Sequence, residues 1–438
     1  MPESEIVGFL IVSLFALGLS VVANGLTKTV LTAPMLCIGF GLAMASTGVM
    51  SGEGAREALH LVAEIALIVL LFLDAAQTNL SALRQRHVWP VRMLVVGLPL
   101  CILFGALAAL LFLPGWPVFA VALVAAILTP TDAALGLSVV TNPDIPERPR
   151  RALTVESGLN DGIALPAVLL FASLAAEATE RADVNWIAFI TRQLTLGPLT
   201  GIVIGCAGGF LLLWAKRQRL ATDPYEGIGT LSLAMTSYFA ASLIGGNGFI
   251  AAFIAGLCFG NIVKSASAFI YEFTESEGQL LSWAAFFLLG LALLPAALAH
   301  LDLATVAIVL VSLFVVRPVS IWISLIGTDA SPETRLFFGW FGPRGLATAL
   351  FALLVVPQID AGYAEPVLYI AINAVWISAL LHGLTAAPLG RLYARRIKAR
   401  NLAAESEPVI HSAKPLRKSG AHRRNRKNSE TVAARRKF

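Results

Sequence analysis

The sequence predicts an all-α polytopic membrane protein, and three observations carry that prediction: an apolar composition, continuous runs of spanning length, and a one-sided distribution of basic residues. Of 438 residues, 57% are hydrophobic and 13% charged. Soluble domains are roughly 45–50% apolar and about 25% charged. Mean hydropathy is +0.78. A span needs about 20 mainly apolar residues, and thirteen runs qualify: 5–23, 30–50, 58–78, 88–113, 117–140, 152–176, 193–214, 226–244, 247–263, 279–299, 303–327, 335–357 and 366–388. These runs are continuous where the strands of a transmembrane barrel would alternate, so helices are expected.

Thirteen spans put the two termini on opposite faces, and the basic residues choose the orientation, because short cytoplasmic loops accumulate Lys and Arg. With the C-terminus inside, the inner loops hold eleven: Lys28, Arg84, Arg86, Arg148, Arg150, Arg151, Lys216, Arg217, Arg219, Lys264 and Arg335. The outer loops hold three, Arg56, Arg181 and Arg192. The N-terminus is therefore expected outside and the C-terminus in the cytoplasm, across a cell (inner) membrane. Met1 to Glu5 carry no basic residue, so the first apolar run reads as a span and not as a cleavable signal. Cys37, Cys101, Cys206 and Cys258 lie in apolar segments without metal-ligand spacing and read as inert thiols.

Two domains follow from composition: a transmembrane domain over 1–390 and a basic tail over 391–438. The tail carries 15 Lys or Arg against three Glu and no apolar period, so it reads as disordered. One reading makes it a site for anionic lipid or a partner; the other makes it a solvated segment that reinforces orientation. The pI near 9.1 comes mostly from this tail and points to a membrane surface, with no nucleic acid.

Transporter folds often consist of two inverted copies of a helix bundle with discontinuous helices at the midplane. Two sets of six around an odd helix would give this chain that plan, with span 5 matching span 12. Span 5 contains Thr129-Pro130-Thr131-Asp132 and span 12 contains Gly342-Pro343-Arg344-Gly345, each a helix-breaking proline beside a charge. Proline lacks the amide donor and clashes with the preceding turn, so both spans should unwind locally. Exposed half-helix ends carry opposite partial charges that a carboxylate and a cation compensate, and Asp132 and Arg344 have the matching signs.

Span 6 reads Glu156-Ser157-Gly158-Leu159-Asn160-Asp161-Gly162. At 100° per residue, Ser157 and Asp161 share one face, as do Glu156 and Asn160. Asp161, Asp132, Ser157, the Thr131 hydroxyl and carbonyls near Thr129 form a set of hard oxygen ligands suited to an alkali ion. Burial favours the protonated acid and a bound cation opposes it, so Asp161 can hold a proton or a metal ion but not both comfortably. Glu156 is expected to be neutralised by Arg344 as a structural ion pair. Asp74 either lines an inner access route or sits at the interface, and Arg317 is either a lipid-facing snorkel or half of a buried pair. Glu64 reads as an interfacial acid; Asn373 and His382 read as packing hydrogen-bonders.

These residues resemble the monovalent cation:proton antiporters of the sodium/proton exchanger type. The resemblance rests on Thr131-Asp132, on Glu156-Ser157 with Asn160-Asp161-Gly162, and on Gly342-Pro343-Arg344-Gly345, with weaker matches at Leu73-Asp74-Ala75, Gly248 to Gly256, Phe286 to Gly290 and Arg317-Pro318. It implies a homodimer whose core carries two crossed, broken helices in an elevator-like movement. It also implies a shared cation and proton site at Asp161, support from Asp132, and an ion pair between the positions of Glu156 and Arg344. Asn160, where a sister branch has aspartate, implies electroneutral exchange. Many relatives follow the span 5 aspartate with proline where this chain has Ala133. The expected function is exchange of Na+, or of Li+ or K+, for H+. No nucleotide-binding loop of the Gly-x-x-x-x-Gly-Lys-Ser/Thr type occurs, so ion gradients should supply the energy, with no cofactor and no enzymatic reaction. A passive cation channel is the competing expectation, and it would need a continuous polar pore.

Overall fold

A computed structural model describes residues 3–26, 29–48, 52–78, 80, 88–132, 135–140, 142–176, 186–220, 222–263, 268–400 and 402–406. Every regular element among them is helical. The order is α1 (Glu3–Leu26), α2 (Ala33–Thr47), α3 (Gly52–Gln77), α4 (Val88–Phe112), α5 (Val118–Ile127), α6 (Leu137–Val140), α7 (Glu147–Ala176), α8 (Trp186–Arg217), α9 (Asp223–Leu243) and α10 (Gly248–Val263). Then come α11 (Ala268–Leu288, continuing through Leu289–Leu293 and Leu294–Ala299), α12 (Leu303–Ser324), α13 (Pro332–Trp340), α14 (Leu346–Val355), α15 (Ala361–Arg400) and α16 (Ala403–Ser406). Seven helices among the described residues are long and apolar enough to cross a membrane, and four shorter ones are equally apolar. The chain is a multi-pass membrane protein. All thirteen apolar runs coincide with helix, and the fifth and twelfth are broken, into α5/α6 and α13/α14.

Local sequence explains the helix irregularities. Three helices contain a five-residue π-helical turn: Met93–Gly97 in α4, Leu289–Leu293 in α11 and Ser312–Val316 in α12. Each turn is followed two residues later by proline, at Pro99, Pro295 and Pro318. The proline ring clashes with the carbonyl four residues back, which lies inside the turn in each case, and widening the turn relieves the clash without ending the helix. Helix starts carry side-chain caps: the oxygens of Thr32, Asp302 and Ser331 accept from the amides of Met35, Thr305 and Thr334.

Packing follows side-chain size. Gly256 and Gly260, one turn apart on α10, face the backbone of Phe72 and Ala76 on α3 so closely that a Cβ at either would fall within 2.2 Å of a carbonyl oxygen. Small residues four apart let two helix backbones touch. The α10 helix also packs along α8, whereas α5 packs on α4 and α7. Every residue of α5 from Ala120 to Ile127 is buried, as expected of a helix that is apolar all round. By contrast α1, α4 and α8 expose Leu14 and Val21, Leu107 and Leu111, and Val203 and Phe210 respectively, a surface suited to lipid chains.

The boundary expected at residue 390 is corrected by the structure. The α15 helix runs on to Arg400 because Tyr393 and Ile397, four residues apart, are buried on one face, and Tyr393 stacks on Phe337 with ring centroids 3.9 Å apart. The short α16 follows, and the buried Glu405 accepts from the Ser331 amide (3.0 Å) and the Thr334 hydroxyl (2.8 Å). Beside it Arg148 donates to the Ala404 carbonyl and to both Asp329 oxygens, lies 3.7 Å over the Trp89 ring, and shares Asp329 with the Trp89 indole N–H. The rest of the basic stretch lies outside the described residues.

Burial opposes ionisation of Asp329, but the Arg148 and Trp89 donors outweigh it and hold the carboxyl below the usual aspartate range. A depressed carboxylate stabilises the fold above the unfolded value of about 3.9, and that contribution is lost as pH falls through the folded value. Asp329→Asn is expected to lower the thermal transition in detergent by a few degrees at pH 7, equivalent to about 1 kcal/mol for a pair whose carboxylate is half exposed. The difference from wild type should shrink as pH falls below about 3.9, as differential scanning fluorimetry at pH 7 and across the acid range will show.

Candidate functional site

The two broken spans meet. Between α5 and α6, and again between α13 and α14, the chain runs without helix through residues 129–132 and 341–345, and the Asp132 amide donates to the Pro343 carbonyl at 2.9 Å. The termini are then satisfied reciprocally. The Asp132 carboxylate accepts from the Leu346 amide at 3.2 Å, which places it at the positive start of α14. The Arg344 guanidinium donates to the Thr129 and Pro130 carbonyls, at the negative end of α5, and to the Ser312 hydroxyl at 3.1 Å. Its backbone amide donates to Ser378. Two glycines make the approach feasible: a Cβ at Gly345 would lie 2.1 Å from the Asp132 carboxylate, and one at Gly342 would lie 1.7 Å from the Arg317 guanidinium.

The α7 helix supplies the next layer. Asn160 is 1% exposed and donates from Nδ2 to the Thr131 hydroxyl and carbonyl. The Thr131 hydroxyl also lies 3.3 Å from Glu156 Oε2 and 3.3 Å from Ser157 Oγ. The expected pairing of Glu156 with Arg344 is overturned. Glu156 forms a two-pronged ion pair with Arg317, at 3.1 and 3.2 Å, with both side chains almost fully buried. Arg344 is committed instead to the free carbonyls at the end of α5, where unpaired backbone oxygens in an apolar interior are costly. This also settles Arg317, left open above, as a buried partner.

Asp161, Ser157, Thr131, Asp132 and Asp74 line one cavity of about 170 Å³. The sequence-predicted set is thus brought together, with two exceptions, Thr129 and Asn160. Thr129 is not part of the lining: its hydroxyl donates to the Ala125 carbonyl at 2.8 Å and its carbonyl is occupied by Arg344. Asn160 stands behind the lining and orients Thr131. Residues not anticipated from sequence, Gln77, Thr78, Thr154 and Ser282, complete the polar wall. They carry no charge and belong to no motif. Ala133 lies outside the described residues. Asn373 and His382 are packing hydrogen-bonders as expected: Asn373 bridges Ala297 and Trp376, and His382 joins Ser378 to the Trp340 carbonyl. Glu64 accepts from the Tyr238 hydroxyl.

Electrostatically, the cavity has one unresolved demand. Arg317 neutralises Glu156, and Asp132 is held at a helix start. Asp74 and Asp161 have no ion-pair partner among the described residues. Asp161 Oδ1 is buried without a hydrogen-bond partner, and so is Asn160 Oδ1 in the same turn of α7. Such groups cost about 1–3 kcal/mol each, more when charged, unless a proton or a cation meets them.

Arg317→Ala should destabilise the protein by about 3–5 kcal/mol, because it strands a buried carboxylate. The double change Glu156→Leu with Arg317→Met is expected to recover most of that loss, while Glu156→Leu with Arg344→Met is not. Denaturant or thermal unfolding of the purified variants reads the difference, and recovery by the second pair alone would restore the Glu156–Arg344 assignment.

The family described as sodium/hydrogen exchanger, transmembrane, matches residues 8–392. The K(+)/H(+) antiporter NhaP2 of Shewanella baltica is 30% identical over 382 residues, covering 83% of this chain and 64% of that protein. The Na(+)/H(+) antiporter ApNhaP of Aphanothece halophytica is 27% identical over 396 residues, covering 86% and 73% respectively. The chain thus spans 61–65% of the length of the NhaP2 relatives it matches. The sodium proton antiporter MjNhaP1 from Methanocaldococcus jannaschii aligns with a TM-score of 0.72 over 90% of this chain and 100% of that one, at 21% identity, and so shares its fold. On its sequence over residues 8–392, this chain belongs to the transmembrane sodium/hydrogen exchanger family.

Proposed function

We propose that the chain is a secondary active antiporter that exchanges a monovalent alkali cation for H+ by alternating access at Asp161. The observation that carries this reading is the pair of partnerless buried oxygens, Asp161 Oδ1 and Asn160 Oδ1, beside a cavity that Asp74 and Asp132 also line. A desolvated alkali ion needs several hard oxygens, and Asp161, Ser157, Thr131 and Asp132 offer them. Asp161 is the shared site: a cation drives its proton off, and a proton displaces the cation. Asp132 and Thr131 support it, Asn160 holds Thr131, and Asp74 lines the route in. Because Asp161 takes one proton or one monovalent ion, the exchange is one for one and electroneutral.

The finer architecture belongs to the same reading. Thirteen spans form two inverted six-helix repeats, with the two broken helices crossing in the core. Support comes from two matched irregularities: the breaks fall in spans 5 and 12, and π turns before a proline fall in spans 4 and 11, whereas the third such turn, in span 10, has no counterpart in span 3. The N-terminus is outside and the C-terminus cytoplasmic in a bacterial inner membrane, and the protein is a homodimer with separate dimer and core parts.

Relatives named as K(+)/H(+) and as Na(+)/H(+) antiporters both match this chain, so K+ is the alternative to Na+ as the transported ion. Inverted vesicles with a pH-sensitive dye test the proposal. Alkali-cation addition should dissipate a pH gradient saturably with the membrane potential clamped, and Asp161→Asn should abolish the response without unfolding the protein. Wild-type rates in that variant contradict the assignment; a current following the cation gradient alone favours a channel.

A further inference from the structure

The reciprocal capping of the two breaks leaves part of span 12 unserved. Asp132 reaches the start of α14 and Arg344 the end of α5, but the Arg344 amide and the Trp340 carbonyl, on either side of the turn, lie outside that arrangement. Both are met from α15. This unbroken helix of 40 residues packs against α13 and α14 alike, so it lies across the break. Its Ser378 hydroxyl accepts from the Arg344 amide at 2.7 Å, and His382 Nε2 stands 2.9 Å from the Trp340 carbonyl. A carbonyl only accepts, so Nε2 serves Trp340 as a donor. Nδ1 lies 3.2 Å from the Ser378 hydroxyl and 2.9 Å from the Ser378 carbonyl, which belongs to the α15 ladder. Both side chains are buried. The same face holds the Trp340 side chain: its ring stacks on His382 with centroids 4.9 Å apart, and its indole N–H donates to Thr385 at 3.1 Å.

The turn so enclosed is the link to the ion site. Between the Trp340 carbonyl and the Arg344 amide lie Phe341, Gly342 and Pro343, and the Pro343 carbonyl accepts from the Asp132 amide at 2.9 Å. Holding both ends of that turn therefore fixes where Asp132 stands. Neither Ser378 nor His382 lines the cavity itself. Span 5 is held in the corresponding way. On α7, the helix after that break, Glu156 accepts from the Thr131 hydroxyl, and Asn160, one turn later, donates to the Thr131 carbonyl. On α15, the helix after the other break, Ser378 accepts from the turn and His382, again one turn later, donates to it. Two helices of unrelated local sequence thus carry the same device, an acceptor followed one turn on by a donor, each aimed at the break that precedes it.

We infer that Ser378 and His382 are positioning residues for ion exchange at Asp161: together they set the turn of span 12, and through the Pro343 carbonyl they set Asp132. This rests on the antiport reading. Removing either one frees an end of the turn, and the Asp132 backbone then loses the fixed partner that keeps its carboxylate beside the cavity. Outer partners of ion ligands act in this manner, tuning affinity without touching the ion.

The test follows alkali-cation-driven proton movement by the full chain in inverted vesicles, together with hydrogen–deuterium exchange of the purified protein on the peptide carrying Asp132. Ser378→Ala and His382→Leu are each expected to raise the half-saturating cation concentration about tenfold, with a smaller effect on the maximal rate, as loss of an outer partner does. Both should speed hydrogen exchange at the Asp132 peptide and leave the peptide carrying Asn247 at the wild-type rate. His382→Gln is expected to restore both readouts, because its amide nitrogen reaches the place of Nε2, whereas His382→Asn, a methylene shorter, is not. A side chain that only fills space would change yield or maximal rate and would not separate Gln from Asn. A wild-type half-saturating concentration, or wild-type hydrogen exchange, in both Ser378→Ala and His382→Leu overturns the inference. Equal rescue by Gln and Asn, or rescue by neither, overturns the donor role of Nε2. If His382→Leu does not insert, Ser378→Ala, which removes one hydroxyl, carries the same readouts. The antiport reading fails separately: a wild-type chain that moves no protons with alkali cation sinks it, and hydrogen exchange alone then decides whether the two residues hold the turn.

Discussion

Backbone that leaves the helix inside an apolar interior must find its partners within the protein, and the rest of this site depends on how that demand is met. Pro130 and Pro343 each interrupt a span, and the resulting ends satisfy one another: Asp132 serves the amides that begin α14, and Arg344 serves the carbonyls that end α5. A single backbone hydrogen bond between Asp132 and Pro343 ties the breaks together. Gly342 and Gly345 are glycines because any side chain would occupy the volume of Arg317 or Asp132. Sterics, hydrogen bonding and charge therefore all converge on one short stretch of each broken span.

That arrangement fixes what is left over. With Glu156 matched to Arg317 and Asp132 engaged at a helix start, the charges that hold the scaffold together are spoken for. Asp161 is not, and its neighbour Asn160 keeps Thr131 in place while leaving its own carbonyl oxygen unsatisfied. A structural acid would have acquired a donor. The exchange proposed at Asp161 is served by that lack, since a permanent donor would favour the ionised form at all times and blunt the competition. The scaffold's rigidity and the site's incompleteness are two sides of the same design.

Much of this was legible in the sequence. Each apolar run falls on helix among the described residues, and the paired Pro-and-charge motifs located both breaks, because proline in a spanning helix has few outcomes. Periodicity on span 6 correctly grouped Ser157 with Asp161. The partner of Glu156 was not legible: Arg317 and Arg344 are both arginines within spans, and only the path of the broken backbone decides which one the carbonyls of α5 claim. Thr129 was misread for the same reason, its carbonyl being taken by Arg344 before any ion. The extension of α15 beyond residue 390 was obscured by composition. Tyr393 and Ile397 make an amphipathic face, yet they stand among five basic residues that dominate any average over the segment.

The claim at the centre is that Asp161 holds one proton or one alkali ion and never both. Purified protein in weakly buffered detergent solution, titrated with Na+ or K+ while proton release is followed, tests it directly. The account predicts up to one proton expelled per cation bound, with apparent affinity weakening as pH falls and the release absent in Asp161→Asn. Cation binding that releases no proton and keeps the same affinity at every pH would contradict it.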